Sequence, residues 1–470
     1  MNRRGSLHLS LLIFILTALY HNTIRAQAEL PSVLQQRVDT LVAGVLARTG
    51  VPSASIAIVR DDQTVFTKAY GDARIEPRVP ATPEMRYGIG SISKQFLATA
   101  MLLLQEEGKL SLDDRIAKYI PDLTRAGEIT IRQLLTHTSG YQDYWPQDYV
   151  MKSMLQPTTE RAILDQWGRK ALDFDPGTKW QYSNTNYVIA GVILEKVTGQ
   201  SVFQFLKERM FAPLGMNSVS DIDQGKLSTT DPLGYMRYAL GELRVGPSSG
   251  AGWLFSTGEL AMTQRDLAKW DISIIDRKVL QPSTYRQLET EEVLRNGTGT
   301  HYGLGIDVGM FDGHLALTHS GEVSGFTSMN MIFPDDRLAV VVLTNQDAVP
   351  AYSAIAIGLS KMFLGSEESN TAVQTEQAQK IFEGLQKGTI DRSLFTENAN
   401  GYFSEEALKD FSSSLGPLGS PQEFKQIRQA LRGGMTLRMY RISFEHNTLR
   451  AWTYEMPDGK LEQYQVSEEE

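Results

Sequence analysis

The chain of 470 residues contains no cysteine, which excludes disulfide bonds and a thiol nucleophile. Basic residues are in the minority, since 46 Lys and Arg face 55 Asp and Glu and the formal net charge is −9. This balance argues against a nucleic-acid partner, because such binding depends on a basic surface. Hydrophobic residues at 41% and charged residues at 21% are ordinary for a globular protein, and the length fits one large domain plus a smaller one.

The N-terminus has the layout of a cleavable secretory signal, so we predict that residues 1–28 are a signal peptide and not part of the folded domain. A basic start at Met1–Arg4 precedes an apolar stretch, Leu7–Tyr20, and small residues follow around Ala26 and Ala28. The alternative is an uncleaved anchor, but this stretch of 14 residues, apolar apart from His8, Ser10 and Thr17, is short for a span of about 20. We predict export to the periplasm or the medium, with no stable membrane insertion after the signal is removed.

Hydrophobic periodicity places strands near both ends of residues 29–364 and helices between them. The predicted helices cover 30–47, 93–105, 187–198 and 352–364, and the predicted strands cover 54–59, 64–70, 315–318, 328–333 and 338–345. This order predicts an α+β fold in which an antiparallel sheet is assembled from both ends of the domain. An all-helical lobe would occupy roughly residues 90–260, and the active site would lie between the two lobes.

The C-terminal part has a different organisation. The polar segment 365–379 predicts a linker, and residues 380–470 predict a small α+β domain. Within that domain, 381–415 is helix-prone, whereas 436–444 and 449–454 alternate like strands. We find no catalytic signature there, so shaping of the cleft, partner binding and dimer formation all remain open roles.

Ser91 and Lys94 form a Ser-x-x-Lys motif at the start of the first central helix. Positions i and i+3 share one helical face, so the lysine amine lies one turn from the serine hydroxyl. A serine becomes nucleophilic when a nearby base takes its proton, and a helix N-terminus offers free N–H groups to an oxyanion. Alone, the motif is common and also fits a helix-capping serine.

Two further elements follow in a fixed order. Tyr182-Ser183-Asn184 precedes the second helix, and His319-Ser320-Gly321 follows a predicted strand. Penicillin-recognising enzymes carry Ser-x-x-Lys, Ser-Asp-Asn and Lys-Thr-Gly in this order. Here Tyr182 replaces the first serine of the middle element, and His319 replaces the lysine of the third.

The ordered set resembles class C β-lactamases, serine D-peptidases and their esterase relatives over roughly residues 30–364. Additional matching segments are Tyr87-Gly88-Ile89-Gly90, Leu134-Leu135-Thr136-His137-Thr138-Ser139-Gly140, Asp175-Pro176-Gly177, Ser256-Thr257 and Tyr302-Gly303-Leu304-Gly305. The resemblance implies a β-lactamase/transpeptidase-like fold. It also implies a serine hydrolase that works through an acyl-enzyme on an ester, amide or peptide bond of a small-molecule or peptide substrate, without a metal or organic cofactor.

The same resemblance assigns roles to residues. Ser91 would be acylated, Lys94 would hold or accept its proton, and Tyr182 would act as general base and guide the deacylating water. Because a free phenol has a pKa near 10, Tyr182 needs nearby cations to act as a base, and Lys94 and protonated His319 are the candidates. The oxyanion hole would combine the N–H groups of Ser91 and Glu322. The predicted substrate-binding residues are Asn184, which would hydrogen-bond Lys94 or the substrate amide, together with His319, Ser320, Gly321 and Glu322.

The histidine at position 319 changes the expected specificity. Relatives that recognise a substrate carboxylate carry lysine there, a permanent cation, whereas a histidine with a pKa near 6.5 is mostly neutral at pH 7. We therefore expect a weaker preference for penicillins and for peptides that end in a free carboxylate. Esters, amides and substrates with an N-terminal D-amino acid become the favoured classes.

Several alternatives stay open at this point. Gly246-x-Ser248-x-Gly250 matches a nucleophile elbow, but neither a clear strand nor a helix flanks it. His137 fits a buried structural loop better than a functional site, and Tyr141, Tyr144 and Trp145 fit a cleft wall or packing equally. A sensor or pseudo-enzyme that acylates without efficient turnover is the main alternative to a hydrolase. The seven histidines show no metal-binding spacing, and no phosphate-binding loop is present.

Overall fold

The computed structural model describes residues 30–364, 367–456 and 458–469, so the predicted signal lies outside the described residues. The chain divides into two compact units. The first runs to Val308 and resumes over Leu317–Tyr352, and the second combines Gly309–Ala316 with the chain from Ser353 onward. Among the described helices, none has the length and apolar character needed to cross a membrane.

Sixteen strands, twelve α-helices and seven short 3-10 or π helices make up the regular structure of the described residues. The strands are β1 Ser53–Arg60, β2 Gln63–Ile75, β3 Arg78–Pro80, β4 Tyr87–Gly88, β5 Ser220–Asp221, β6 Tyr235–Met236, β7 Arg244–Val245, β8 Leu260–Met262, β9 Asp307–Phe311, β10 His314–Val323, β11 Phe326–Phe333, β12 Leu338–Thr344, β13 Glu423–Arg432, β14 Met435–Ser443, β15 Thr448–Glu455 and β16 Leu461–Glu468. The helices are α1 Ser32–Thr49, α2 Ser93–Glu106, α3 Ile131–Leu135, α4 Glu160–Ile163, α5 Asn184–Thr198, α6 Val202–Leu206, α7 Gln264–Ile275, α8 Pro282–Leu288, α9 Ala351–Leu364, α10 Glu367–Gln386, α11 Glu397–Tyr402 and α12 Glu405–Leu415.

The main sheet joins the two ends of the first unit. Its order is β3-β2-β1-β12-β11-β10-β9, and β1 pairs antiparallel with β12, with Ser55 opposite Leu343. Every residue of β12 is buried, and so is every residue of β1 except Arg60. Such continuous apolar strands are typical of a sheet covered on both faces. The predicted antiparallel sheet built from both ends of the chain is confirmed.

Helix α2 forms the centre of the helical part of the first unit. Its residues from Ser93 to Leu104 are all buried, including Lys94 and Gln95. An α-helix that is apolar almost all round is enclosed by other elements, and α2 packs against α5 and α6. This position holds the first turn of α2, with the Ser-x-x-Lys motif, rigidly against its surroundings.

Strand β10 is longer than the predicted 315–318. It runs to Val323, so His319, Ser320 and Gly321 lie within the strand rather than after it. The sequence does not predict this extension, because its residues are polar. Ser320 and Glu322 are exposed towards a cavity instead of packing in an apolar layer, whereas His319 and Gly321 are buried.

The segment predicted as a linker over 365–379 is helical from Glu367 onward. The helical spacing of Ala378, Ile381, Phe382 and Leu385, which are all buried, explains the difference. This periodic run begins inside the polar segment, where composition alone conceals it.

The second unit contains a four-stranded antiparallel sheet of order β13-β14-β15-β16. Its core includes Phe382, Tyr440, Ile442 and Tyr464. Strands β14 and β15 match the predicted ones, whereas β13 and β16 were not predicted. Their mixed polar sequences, Glu423–Arg432 and Leu461–Glu468, lack a strong apolar alternation.

Candidate active site

Ser91 lies in a tight turn between β4 and α2. The turn is a short 3-10 helix, Gly90–Ile92, which leads directly into α2. Gly90 has a positive φ of 52°, and a Cβ there would lie 2.5 Å from the Glu322 backbone nitrogen. At Gly321, a Cβ would lie 1.8 Å from the Ile89 carbonyl oxygen. Glycine at both positions therefore lets the Ser91 turn approach the backbone of β10.

Lys94 lies one turn below Ser91, as the spacing predicts. Its Nζ atom is 2.9 Å from Ser91 Oγ and 2.7 Å from the Thr257 carbonyl oxygen. The side chain is fully buried, and burial lowers the pKa of Lys94 to about 7 despite the opposing charges of Asp143 and Glu259. A substantial fraction of the amine is therefore neutral near pH 7 and is able to take a proton.

Tyr182 lies beside Ser91 and Lys94. Lys94 Nζ lies 5.1 Å from the centroid of the Tyr182 ring. The Tyr182 hydroxyl is buried and has no hydrogen-bond partner that meets normal geometry within the described chain. Burial raises the pKa of this phenol, and this effect outweighs the opposing influence of the Ser91 hydroxyl. The sequence predicts that nearby cations lower the pKa of Tyr182, but in the structure burial raises it instead.

Asn184 begins helix α5 and is held by a residue that sequence reasoning missed. Its backbone N–H donates to Asp143 Oδ1 at 3.0 Å, and its Nδ2 donates to Asp143 Oδ2 at 3.3 Å. The Asn184 side chain therefore bonds Asp143 rather than Lys94, which is one of its two expected partners. A carboxylate at a helix N-terminus also interacts favourably with the helix dipole. No motif marks Asp143; its only signal is its place in the polar, aromatic segment after Gly140.

His319 is buried, with both ring nitrogens engaged. Nδ1 lies 2.6 Å from the Ser320 carbonyl oxygen, and Nε2 lies 3.0 Å from the Tyr302 hydroxyl. Since a carbonyl accepts only, Nδ1 carries the proton and Nε2 accepts from Tyr302. Burial, aided by the charge of Lys94, lowers the pKa of His319 to about 4. The ring is neutral at pH 7, in agreement with the sequence expectation, and offers the cavity neither a cation nor a free N–H.

A cavity of about 500 Å³ opens over Ser91. It brings together most of the predicted site residues, namely Ser91, Tyr182, Asn184, His319, Ser320 and Glu322, while Lys94 and Gly321 lie outside its lining. Trp145, Tyr149 and Trp180 contribute aromatic walls. Trp145 is therefore a cleft residue, whereas Tyr141 and Tyr144 are buried in the core.

Acidic side chains dominate the charge of this cavity. Its described lining includes no Lys or Arg but has five carboxylates: Asp143, Asp148, Asp307, Glu322 and Asp347. Although Asp307 is exposed to the cavity, the cleft walls exclude enough water to raise its pKa to about 6. Burial also raises the pKa of Asp143, Glu322 and Asp347, but even Asp307, with a pKa of about 6, is mostly ionised at pH 7, so the cavity carries negative charge at neutral pH.

The alternative nucleophile Ser248 lies in an irregular segment. Residues 246–250 form neither a strand nor a helix. A nucleophile elbow requires a strand before the serine and a helix after it. The two-residue strand β7 ends at Val245, but no helix follows Ser248, so the local structure lacks the helix that α2 provides after Ser91.

Comparison with known proteins identifies the family. The family model described as Beta-lactamase matches residues 38–359. Protein flp from Staphylococcus aureus (strain MW2) is 30% identical over 324 residues, which cover 66% of this chain and 63% of flp. The match thus spans less than two thirds of the length of that relative.

Two solved structures share the fold. The D-amino acid amidase from Ochrobactrum anthropi SV3, complexed with L-phenylalanine amide, is 27% identical with a TM-score of 0.58, over 67% of this chain and 92% of that one. The octameric penicillin-binding protein homologue from Pyrococcus abyssi is 24% identical with a TM-score of 0.64, over 93% of this chain and 96% of that one. The family model extends over most of the chain and includes every element of the Ser91 site, so this protein belongs to the β-lactamase family.

Proposed function

We propose that this protein is a serine hydrolase that cleaves an amide or peptide bond in a small-molecule or peptide substrate. The observation that carries the proposal is the 2.9 Å contact between Lys94 Nζ and Ser91 Oγ beside the cavity. A buried amine with a pKa near 7 next to a serine hydroxyl is a base positioned for nucleophilic catalysis. The amidase among the structural relatives supports an amide bond as the target.

In the proposed acylation, neutral Lys94 accepts the Ser91 proton while Oγ attacks the substrate carbonyl carbon. The backbone N–H groups of Ser91 and Glu322 stabilise the oxyanion, because Gly90 and Gly321 let the two segments approach closely. As the C–N bond breaks, the proton passes to the leaving amine through Lys94 or the Tyr182 hydroxyl. Water then attacks the acyl ester and gives a proton to the same pair, which returns a proton to Ser91 Oγ as the C–O bond breaks, so that the carboxylic acid and the free Ser91 hydroxyl are released.

We further propose that the substrate carries a free amino group near the scissile bond rather than a carboxylate. Within the described lining, five carboxylates and no Lys or Arg face the cavity, and the Lys94 amine below Ser91, with a pKa of about 7, adds no more than one partly protonated cation. His319 adds no cation, because its ring is neutral and both of its nitrogens are engaged. An ammonium group would therefore be attracted and a carboxylate repelled at neutral pH.

This specificity predicts a difference between two matched substrates. We expect D-alanine p-nitroanilide to have a kcat/KM about 10- to 100-fold higher than its N-acetylated form, since one hydrogen bond to a charged group contributes roughly 1.5–3 kcal/mol. Initial rates at pH 7.5 would measure the ratio for wild-type protein. Benzylpenicillin, which carries a carboxylate, should acylate Ser91 slowly. Equal kcat/KM values for the two anilides would contradict the proposed recognition of an amino group.

We propose export through the N-terminal segment, on the basis of its basic start and the apolar run Leu7–Tyr20. Expression of the full chain in a Gram-negative host should give a periplasmic product that begins shortly after Ala26 or Ala28. Mass spectrometry of its N-terminus, with cell fractionation, would test this. A product that retains Met1 in the membrane fraction would support an uncleaved anchor instead.

We also propose residues 29–364 as the hydrolase domain and residues 380–470 as a small C-terminal α+β domain. The separate core around Phe382 and Tyr464 supports this division. The catalytic contacts described above all lie in the first domain.

A further inference from the structure

His137 has a backbone conformation that normally selects glycine or asparagine. It follows helix α3, and its φ is +57°. Its N–H donates to the Leu134 carbonyl, and the N–H of Thr138 donates to the Gln133 carbonyl. These two bonds form a Schellman motif, in which the left-handed position is usually glycine. A buried histidine at such a position carries a conformational cost that the helix end itself does not require.

The same histidine contacts three consecutive residues centred on Tyr182. Its carbonyl oxygen accepts the N–H of Gln181 at 3.0 Å, and its Nδ1 accepts the N–H of Ser183 at 3.2 Å. Its ring lies against the Tyr182 ring, with 4.3 Å between centroids and 34° between planes. The backbone on both sides of Tyr182 and the face of its ring are therefore all held by one residue.

Besides the Ser183 N–H, the ring of His137 has one further polar partner, because Asn186 Nδ2 lies 3.3 Å from its Nδ1. Because Nδ1 accepts hydrogen bonds, the proton lies on Nε2, which is buried and has no hydrogen-bond partner among the described residues. His137 is fully buried, and burial together with the charge of Lys94 lowers its pKa well below the usual range. It is thus a neutral group that touches Tyr182 but makes no contact with Ser91 or Lys94 that would involve it in proton transfer.

We infer that His137 is a positioning residue that fixes the Tyr182 hydroxyl beside Ser91 and Lys94. The Tyr182 hydroxyl makes no hydrogen bond of normal geometry among the described residues, although the Ser91 hydroxyl lies close enough to influence it, so its position depends largely on the contacts of its ring and backbone. A displacement of about 1 Å at a reacting group costs up to roughly 10²-fold in rate. This inference rests on the proposed hydrolase function, and it assigns His137 a role that the sequence pattern presents as purely structural.

Two substitutions at position 137 separate the contacts. His137→Ala removes both the ring and the acceptor. His137→Asn removes the ring contact but retains an oxygen near the position of Nδ1, and asparagine tolerates the left-handed conformation. We expect kcat to fall about 10²-fold in His137→Ala and about tenfold in His137→Asn, with KM within threefold of wild type. Thr138→Ala is the matched control, because it loses a buried hydroxyl contact in the same loop without touching Tyr182.

A double-mutant cycle with Tyr182→Phe distinguishes positioning from general stabilisation. If His137 acts through the Tyr182 hydroxyl, each substitution at 137 should lower kcat less than threefold in the Tyr182→Phe background. A purely structural role would lower the thermal midpoint of unfolding but leave kcat well below that temperature unchanged, as expected for Thr138→Ala. The fluorophosphonate labelling rate of Ser91, read by intact mass, gives a second measure that does not require turnover.

The outcomes separate the two proposals. The inference is overturned if folded His137→Ala keeps kcat within threefold of wild type, or if kcat falls equally with Tyr182 and with Phe at 182. Should His137→Ala not fold, the same comparison with His137→Asn decides the question. If wild-type protein shows neither turnover nor labelling of Ser91, the proposed function is refuted, and the inference with it. If wild-type protein is active but the effects of the substitutions at 137 and 182 on kcat are additive, only the role of His137 is refuted.

Discussion

We expect Ser91→Ala to lower kcat for any amide or ester substrate by roughly 10⁴- to 10⁶-fold, the usual consequence of removing a nucleophilic serine. The hydroxyl at position 91 is the one that Lys94 contacts at 2.9 Å beside the cavity. Intact-mass analysis after exposure to a fluorophosphonate, a penicillin and a p-nitrophenyl ester would show the result directly. Each reagent that adds one acyl or phosphonyl mass to wild-type protein should add nothing to Ser91→Ala.

Ser248→Ala is the matched control for this experiment, since it removes the serine of the competing Gly-x-Ser-x-Gly pattern. Its adduct masses and its kcat should equal those of wild type. An adduct that survives Ser91→Ala but disappears in Ser248→Ala would contradict the proposed nucleophile. A stable adduct on Ser91 with every reagent, without release of product, would favour a protein that acylates as a sensor over a hydrolase.

Much of the fold follows from local patterns along the chain. Strands β1 and β12 are nearly continuous apolar runs, and α2 and α5 end near Gly108 and at Gly199, so their type and approximate limits are evident. The order of strands at both ends and helices between them also predicts the sheet. Strand β10 was underestimated because its second half faces a cavity, where burial no longer dictates apolar residues.

The site was predictable only as far as its motifs reach. Ser91, Lys94 and Tyr182 are found by spacing and order, because their chemistry demands particular residue types. Asp143 and His137 belong to no catalytic motif, and their roles depend on contacts with residues more than 40 positions away along the chain. The acidic character of the cavity likewise arises from carboxylates on separate segments, which become neighbours only in the folded chain.

The pKa of Lys94 leads to the second large effect. We expect Lys94→Met to lower kcat/KM by about 10³-fold, within the range for loss of a general base. In wild-type protein, kcat/KM should rise with pH through a midpoint near 7, because the neutral amine is the active form and burial sets its pKa at about 7. A profile of kcat/KM from pH 5 to 9 would show this rise. It should be absent from the residual activity of Lys94→Met.

Lys94→Arg is the sharper control, because arginine keeps a charge at every pH used and has no neutral form that accepts a proton. It should be as inactive as Lys94→Met if Lys94 is a base, and largely active if Lys94 only supplies positive charge.

Folding stability gives an independent check of the pKa of Lys94. In the unfolded chain a lysine binds its proton up to pH 10.5, whereas in the folded protein Lys94 loses it near pH 7. Between these pH values the unfolded state therefore binds more protons than the folded state. As the pH rises from 7 to 10.5, the free energy of unfolding of wild type should therefore increase relative to that of Lys94→Met. A constant difference between the two proteins across this range would show that Lys94 keeps its ordinary pKa and would remove the physical basis for its role as the base.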